Sequence, residues 1–139
     1  MKKKFFVDTN VFLRVLVKED KSVFGECKEF LEKIKRNEIR AVSANLVLAE
    51  VAWILKSYYG FSRKEVSRAV RGILNLNGVR WVDGYQALMA VDWYQNMKVK
   101  FIDAMLASIP GVVDGKWVMV SYDRDFDKLG VKRVEPAGV

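Results

Sequence analysis

Four acidic residues of this 139-residue chain lie inside apolar segments, where a solvated surface would not place them. Asp8 follows the apolar run 5–7, and Glu50 is the only charged residue between positions 41 and 55. Asp103 lies within Phe-Ile-Asp-Ala-Met-Leu, and Asp123 follows a β-forming run. An isolated buried carboxylate is costly, so such residues are usually paired or bound to a cation. We therefore infer one or two hard cations, Mg²⁺ or Mn²⁺, held by these carboxylates at a single crevice.

Each of these acids also has a simpler structural explanation. Asp8 and Asp123 could each cap a helix that follows a strand. Glu50 could face a local opening to solvent, and Asp103 could pair with Lys100. Four independent coincidences are a weaker explanation than one shared cation, which accounts for all four acids at once.

The composition excludes several classes of site. The chain has no histidine, which rules out a Ser-His-Asp triad, an imidazole general base and a histidine-bound zinc. Its one cysteine, Cys27, rules out a disulfide framework within the chain, and we expect it in the core because it lies on the apolar stripe of a predicted helix. Any catalysis must therefore use carboxylates, lysines, hydroxyls or a hard metal ion.

Short β-like runs alternate with amphipathic helical segments along the whole chain. This alternation predicts a single α/β domain over 1–139, with a mostly parallel sheet of about five strands between helical layers. The predicted strands are 5–7, 39–42, 79–82, 117–121 and 131–134. We predict that Asp20 or Ser22, Ser43 and Ser62 begin helices, and that Pro110 with the following glycine ends one.

The carboxyl ends of the first and fourth predicted strands are the natural place for a site. Open parallel sheets bind ligands in a crevice at the carboxyl ends of their strands, and Asp8 and Asp123 follow two such ends. No apolar run is long enough for a membrane span, and the run after the basic start stops at Asp8, too early for a signal peptide. We expect a cytoplasmic protein without a membrane partner.

The spacing of four motifs resembles that of PIN-domain ribonucleases, most closely the VapC-type toxins of toxin–antitoxin systems. The motifs are FVDTNVFL at position 6, LAEV at 48, FIDAMLA at 101 and VSYDRDF at 120, and together they span almost the whole chain. The resemblance implies a three-layer α/β/α PIN-like fold and a Mg²⁺- or Mn²⁺-dependent endoribonuclease. The ligands and catalytic residues it implies are Asp8, Glu50, Asp103 and Asp123. Asn10 and Ser121 match polar positions that orient ligands or water. For the fourth acid we prefer Asp123, which is nearer the strand end, and expect Asp125 to support the ligands from behind or to take its place.

A positively charged surface would favour RNA as the substrate. Lys and Arg number 24 against 17 Asp and Glu, for a net charge of +7. Lys64, Arg68 and Arg71 form the best-defined basic stripe, for which a solvated helix face is an equally good explanation. The resemblance also implies a homodimer and, for a toxin, an antitoxin protein. Apolar aromatic residues at positions 59, 61, 93 and 94 are consistent with an interface.

Three other functions are compatible with parts of this pattern. An RNA-processing nuclease of the same fold would carry the same acids without being a toxin. A non-catalytic PIN-like domain that binds RNA or protein would have no use for four clustered negative charges facing a polyanion. A phosphatase or receiver-type domain using Asp8 as acceptor would leave Glu50 and Asp103 unexplained, and no Asp-x-Asp follows the first strand.

Overall fold

The computed structural model describes residues 3–139, so that Met1 and Lys2 of the basic start lie outside the described residues. Its centre is a five-stranded sheet in which every pairing is parallel, with strand order β3-β2-β1-β4-β5. The strands are β1 Lys4–Val7, β2 Arg40–Ala44, β3 Val79–Val82, β4 Trp117–Val120 and β5 Arg133–Val134. The prediction of a mostly parallel, five-stranded sheet is confirmed.

Helices connect the strands, as parallel pairing requires. They are α1 Thr9–Leu16, α2 Lys21–Lys35, α3 Asn45–Ser57, α4 Arg63–Leu74, α5 Ala87–Asn96, α6 Phe101–Ala107, α7 Pro110–Val113 and α8 Asp125–Lys128. Helices α1 to α4 pack against one another, and α6 packs against α5, α7 and α8. The result is the expected three-layer α/β/α arrangement, with Phe6 and Met119 paired and fully buried in the middle of the sheet.

The strand order places β1 between β2 and β4, so the chain leaves the first strand in one direction and returns later on its other side. Such a reversal opens a crevice at the carboxyl ends of the two central strands. Register brings Val7 opposite Val120, and the Asp8 N–H donates to the Val120 carbonyl at 3.1 Å. The residues that follow both strands are therefore held side by side.

Ser43 was predicted to cap a helix, and this prediction is wrong. Ser43 is a fully buried residue of β2, and its hydroxyl donates to the Val7 carbonyl at 2.8 Å. Helix α3 starts two residues later, after Ala44, without a side-chain cap. The hydroxyl serves the strand pair instead, because a buried polar group needs a partner and the neighbouring strand supplies one.

Two other boundaries differ from expectation. Helix α6 ends at Ala107, and Pro110 begins the short helix α7 rather than ending α6, because proline at the first helical position loses no hydrogen bond. The last strand is shorter than predicted, at Arg133–Val134. By contrast, Asp20 caps α2 and Ser62 forms a capping box with Glu65, as their sequence context predicts.

Cys27 is fully buried among the core residues, as expected. Among residues 3–139, no helix combines the length and the apolar character that crossing a membrane requires.

Close packing of α7 on β4 depends on the absence of a side chain at Gly111. A Cβ there would lie 2.5 Å from the Trp117 ring, whereas a Cβ at Gly25 in α2 would meet nothing within 4 Å. We expect Gly111→Ala to lower the free energy of unfolding by about 1–3 kcal/mol through overpacking. Gly25→Ala, the matched control, should raise it by about 0.5–1 kcal/mol through helix propensity. Chemical denaturation measures both changes, and equal values for the two variants would contradict the packing argument.

Candidate metal centre

Asp8 connects the end of β1 to the start of α1. Its Oδ1 accepts a hydrogen bond from the Thr9 N–H at 2.8 Å, which makes it the N-cap of the helix. Its Oδ2 accepts from the Ser121 hydroxyl at 2.7 Å and from the Asn10 amide at 3.3 Å. The helix-cap explanation for Asp8 is therefore correct, yet it occupies only one of the two carboxylate oxygens.

Asn10 and Ser121 join the two central strand ends into one network. The Asn10 amide donates to the Ser121 hydroxyl at 3.0 Å, and the same hydroxyl accepts from the Asp123 N–H at 3.0 Å. Arg133 adds a further tie, donating to the Ser121 carbonyl at 3.0 Å. Sequence analysis singled out Asn10 and Ser121 but missed Arg133, because nothing in the sequence shows that the short last strand lies beside β4.

Asp103 lies on α6 and is almost completely buried. Its Oδ2 is shielded from solvent and has no hydrogen-bond partner among the described residues. The pKa of Asp103 is raised to about 8, mainly by burial and also by the charge of Asp8 and the neighbouring Asp123 carboxyl, although the charge of Lys100 opposes the rise. A buried carboxylate oxygen without a partner is costly, so this atom calls for a cation.

Asp103, Asp123 and Asp125 form the tightest acidic group in the described part of the chain, with one carboxylate oxygen from each lying within 4.8 Å of the others. The helix-cap explanation for Asp123 is wrong, because the N-cap of α8 is Arg124; the Asp123 Oδ1 instead accepts from the Asp125 N–H at 2.9 Å in the turn before that helix. Asp125 in turn pairs with Lys128 at 3.0 Å. Both candidates for the fourth acidic position therefore lie beside Asp103.

Glu50, on α3, is half-buried and lies outside this group of three. Its charge nevertheless raises the pKa of Asp8. The pKa of Asp8 is raised to about 6, mainly by burial and also by the charges of Glu50 and Asp123, although the hydrogen bonds from Ser121 and Thr9 oppose the rise. The structure thus brings Asp103, Asp123 and Asp125 together, whereas Asp8 interacts with Asp103 and Asp123, and Glu50 with Asp8, through their charges.

Lys100, the residue before α6, lies beside two of these acids. The Lys100 amine lies 4.0 Å from Asp103 Oδ2 and 3.8 Å from Asp123 Oδ2. Burial lowers the pKa of Lys100, but the charges of Asp103, Asp123, Glu50 and Asp8 outweigh it and raise that pKa above its usual value. The pairing of Asp103 with Lys100 that the sequence allowed is present, as a long contact rather than a hydrogen bond.

The predicted basic stripe lies elsewhere. Lys64, Arg68 and Arg71 are exposed on α4. Arg68 lines a groove of about 630 Å³ between α1, α2 and α4, and none of the four acids lines that groove. Arg68 thus lines a groove that the four acids do not share, and contact of all three basic residues with RNA stays a prediction.

The donor set suits a hard divalent ion. Carboxylate oxygens are the ligands that Mg²⁺ and Mn²⁺ prefer, and Asp103, whose buried Oδ2 has no hydrogen-bond partner, lies beside two further carboxylates. The residues present can therefore hold a metal ion.

Comparison with known proteins identifies the family. The model of the PIN domain matches residues 5–132, nearly the whole chain and all of the acidic group. The chain belongs to the PIN-domain family. The PIN domain described here is 28% identical over 132 residues to a VapC ribonuclease of Aquifex aeolicus (strain VF5), covering 94% of this chain and 95% of that protein.

Solved structures share the PIN fold at low sequence identity. VapC20 of Mycobacterium tuberculosis, described as a sarcin–ricin loop cleaving toxin, superposes with a TM-score of 0.71 and 22% identity over 95% of this chain and 99% of that one. VapBC2 of Rickettsia felis, bound to a promoter DNA fragment, gives 0.64 and 15% over 95% and 98%. A toxin–antitoxin complex of Klebsiella pneumoniae gives 0.61 and 18% over 95% and 97%.

The raised carboxyl pKa values make stability depend on pH when no metal is bound. From about pH 5 to about pH 6 the folded chain keeps protons on Asp8 and Asp103, and from about pH 6 to about pH 8 on Asp103 alone, whereas the unfolded chain loses them near 3.8. Because the folded state binds more protons, its free energy of unfolding should fall as pH rises from about 5 to about 8, by about 5 kcal/mol. Denaturation in the presence of a chelator measures the slope.

Asp103→Asn is the matched variant, because it removes the titrating group and keeps the shape. The free energy of unfolding of this variant should depend less on pH over the same window, and at pH 8 it should be higher than that of the unmodified protein. A slope unchanged by this substitution would show that Asp103 does not carry the effect.

Proposed function

We propose that this PIN domain is a Mg²⁺- or Mn²⁺-dependent endoribonuclease that hydrolyses RNA phosphodiester bonds, and that it is the toxin of a toxin–antitoxin pair. The observation that carries the proposal is the buried Asp103 oxygen without a partner, beside Asp123 and Asp125. The likeness to a VapC ribonuclease along nearly the full length of both chains supports the same chemistry.

In this proposal Asp8, Glu50, Asp103 and Asp123 hold the ion, with Asp125 as the alternative to Asp123. The ion would lower the pKa of a water molecule and withdraw charge from the phosphate oxygens, the two requirements of phosphodiester hydrolysis. Ser121 and Asn10 fix the Asp8 carboxylate by the hydrogen bonds described above. Glu50 or Asp123 would accept the proton of the attacking water, because the chain has no histidine to do so.

The charge distribution fits a polyanionic substrate. The net charge is +7 although the acids gather at the site, so the rest of the surface is more basic than this figure indicates. Asp125 lines a surface recess together with Lys98, Lys100 and the exposed ring of Tyr94. RNA phosphates can therefore approach the acidic group past lysines that sequence analysis had not assigned to RNA, with Lys64, Arg68 and Arg71 as a second contact region.

The proposed activity predicts metal-dependent RNA cleavage that depends on Asp103. The purified protein should cleave a structured RNA with Mg²⁺ or Mn²⁺ and stop when a chelator is added. Asp103→Asn should lower the rate at least about 100-fold, because it removes a charged ligand from the buried side of the site. Asp92→Asn, at an exposed acid on α5, is the control and should cleave normally.

Equal cleavage by the unmodified protein and Asp103→Asn would indicate a contaminating nuclease. Absence of cleavage together with absence of Mn²⁺ uptake would favour a non-catalytic RNA- or protein-binding PIN domain. The toxin role has its own measurement, since expression should arrest growth with the unmodified chain and not with Asp103→Asn. Cleavage without growth arrest would favour an RNA-processing nuclease.

An antitoxin protein is the proposed heterologous partner. The groove between α1, α2 and α4 has an apolar floor that includes Phe12 and Leu31. Its rim carries Lys18, Lys28, Lys35 and Arg68 against Glu32 and Glu65. An amphipathic segment with acidic residues would complement this surface, and its co-expression should relieve the growth arrest.

The proposal also includes a homodimer, in which a second copy of the chain is the partner. Leu88, Val91 and Tyr94 lie three residues apart on α5 and are exposed, and Tyr94 continues into an edge-to-face contact with Phe101 at 5.6 Å. The apolar stripe of Leu88, Val91 and Tyr94 favours burial against a partner. Trp53 on α3 and Tyr58 just after that helix are also exposed.

We expect the protein to be a dimer in solution and Leu88→Glu to make it monomeric, because a charge would be buried without a partner. Leu74→Glu, at an exposed leucine of α4 outside the stripe, should leave the dimer intact. Light scattering after size-exclusion chromatography measures the mass of each. A dimer unaffected by Leu88→Glu would move the interface away from α5.

A further inference from the structure

Lys100 places a cation among the carboxylates of the acidic group. It immediately precedes α6, three residues before Asp103, and its amine lies within 4.0 Å of Asp103 Oδ2 and 3.8 Å of Asp123 Oδ2. We propose that Lys100 is the built-in counter-cation of the metal-free site and that a divalent ion must displace it in order to bind. This inference rests on the proposed function, because it takes the divalent ion as the ligand of the acids.

The distances explain why a divalent ion can displace the lysine. At 4.0 Å the ammonium reduces the repulsion between the carboxylates but makes no hydrogen bond to Asp103 Oδ2, which therefore stays without a partner. A divalent ion would bind the same oxygen directly and carry twice the charge. The ion thus satisfies an atom that the lysine reaches only electrostatically.

The lysine must also be able to leave. Its side chain is 67% exposed, whereas that of Asp103 is 4% exposed, so the amine can turn into solvent while the carboxylate stays in place. Two cations within one small group of carboxylates would repel each other. Binding of the ion and release of the lysine are therefore one exchange, in which the long flexible stem of Lys100 moves and the backbone of α6 does not.

This exchange gives Lys100 opposite effects in the two states. Without the ion, Lys100 offsets the repulsion among the acids and stabilises the fold. With the ion, the same charge opposes binding and lowers the affinity for metal. A lysine with a purely structural role would stabilise both states alike, so the pair of measurements separates the two roles.

The test uses Mn²⁺ alone, without RNA, titrated calorimetrically into the full chain. Lys100→Met should lower the Kd for Mn²⁺ about 5- to 10-fold, which corresponds to roughly 1–1.4 kcal/mol. Its metal-free form should melt at a lower temperature than the unmodified protein, and its Mn²⁺-saturated form should not. Lys98→Met, two residues earlier, removes the same charge from an exposed lysine of the same recess and should change the Kd less than twofold.

Equal Kd values for Lys100→Met and Lys98→Met would overturn the proposal, as would a lower melting temperature of Lys100→Met in both states. If Lys100→Met fails to fold, Lys100→Arg decides, because a guanidinium fork should hold the carboxylates more firmly and weaken Mn²⁺ binding. Mn²⁺ binding by Lys100→Arg as tight as that of the unmodified protein overturns the proposal.

The proposed function fails separately from this inference. If the unmodified protein takes up no Mn²⁺ that Asp103→Asn abolishes, the metal site itself is wrong and the role of Lys100 falls with it. If that uptake is present and only the order of the lysine variants is wrong, the metal-dependent nuclease stands and Lys100 has a different role.

Discussion

Repulsion between carboxylates at one edge of the sheet is the constraint on which the rest of this site depends. Asp8 and Asp103 are both buried, and the charge of Asp8 raises the electrostatic cost of ionising Asp103. A fold tolerates such a group only with bound protons, a nearby cation or hydrogen bonds to the charged oxygens. This PIN domain uses all three, through the raised carboxyl pKa values, Lys100 and the Ser121 hydroxyl. A divalent ion would replace the first two and keep the third.

The sheet topology makes this concentration of charge possible. β1 and β4 are adjacent although more than a hundred residues separate them, and their carboxyl ends deliver Asp8 and Asp123 to the same place. Ser121 spans that junction, accepting from the Asp123 N–H while donating to Asp8. The chain has no histidine, so the acids with raised pKa values are the side chains through which the site responds to pH near neutrality.

Sequence patterns predicted what depends on local order along the chain. Alternating strands and helices, the Asp20 cap and the Ser62 capping box all follow from neighbouring residues, and they are confirmed. The error at Ser43 arose because a serine after a strand has the same appearance whether its hydroxyl caps a helix or bonds to the next strand. Arg133 was missed for a similar reason, since its contact with Ser121 depends on a pairing between strands that the sequence does not display.

Substitutions of Asp8 and Asp103, the two buried acids, would give different information about the site. Asp8 caps α1 with one oxygen and accepts from Ser121 with the other, so any substitution there removes a helix cap together with a charge. Asp103 lies within α6, caps nothing, and leaves one oxygen without a partner. An amide in its place keeps the volume and removes the charge, which relieves repulsion in the metal-free fold while weakening the hold on a cation. Loss of activity with a gain in stability at Asp103 would therefore report on the chemistry of the site, whereas loss of both at Asp8 would not distinguish the site from the fold.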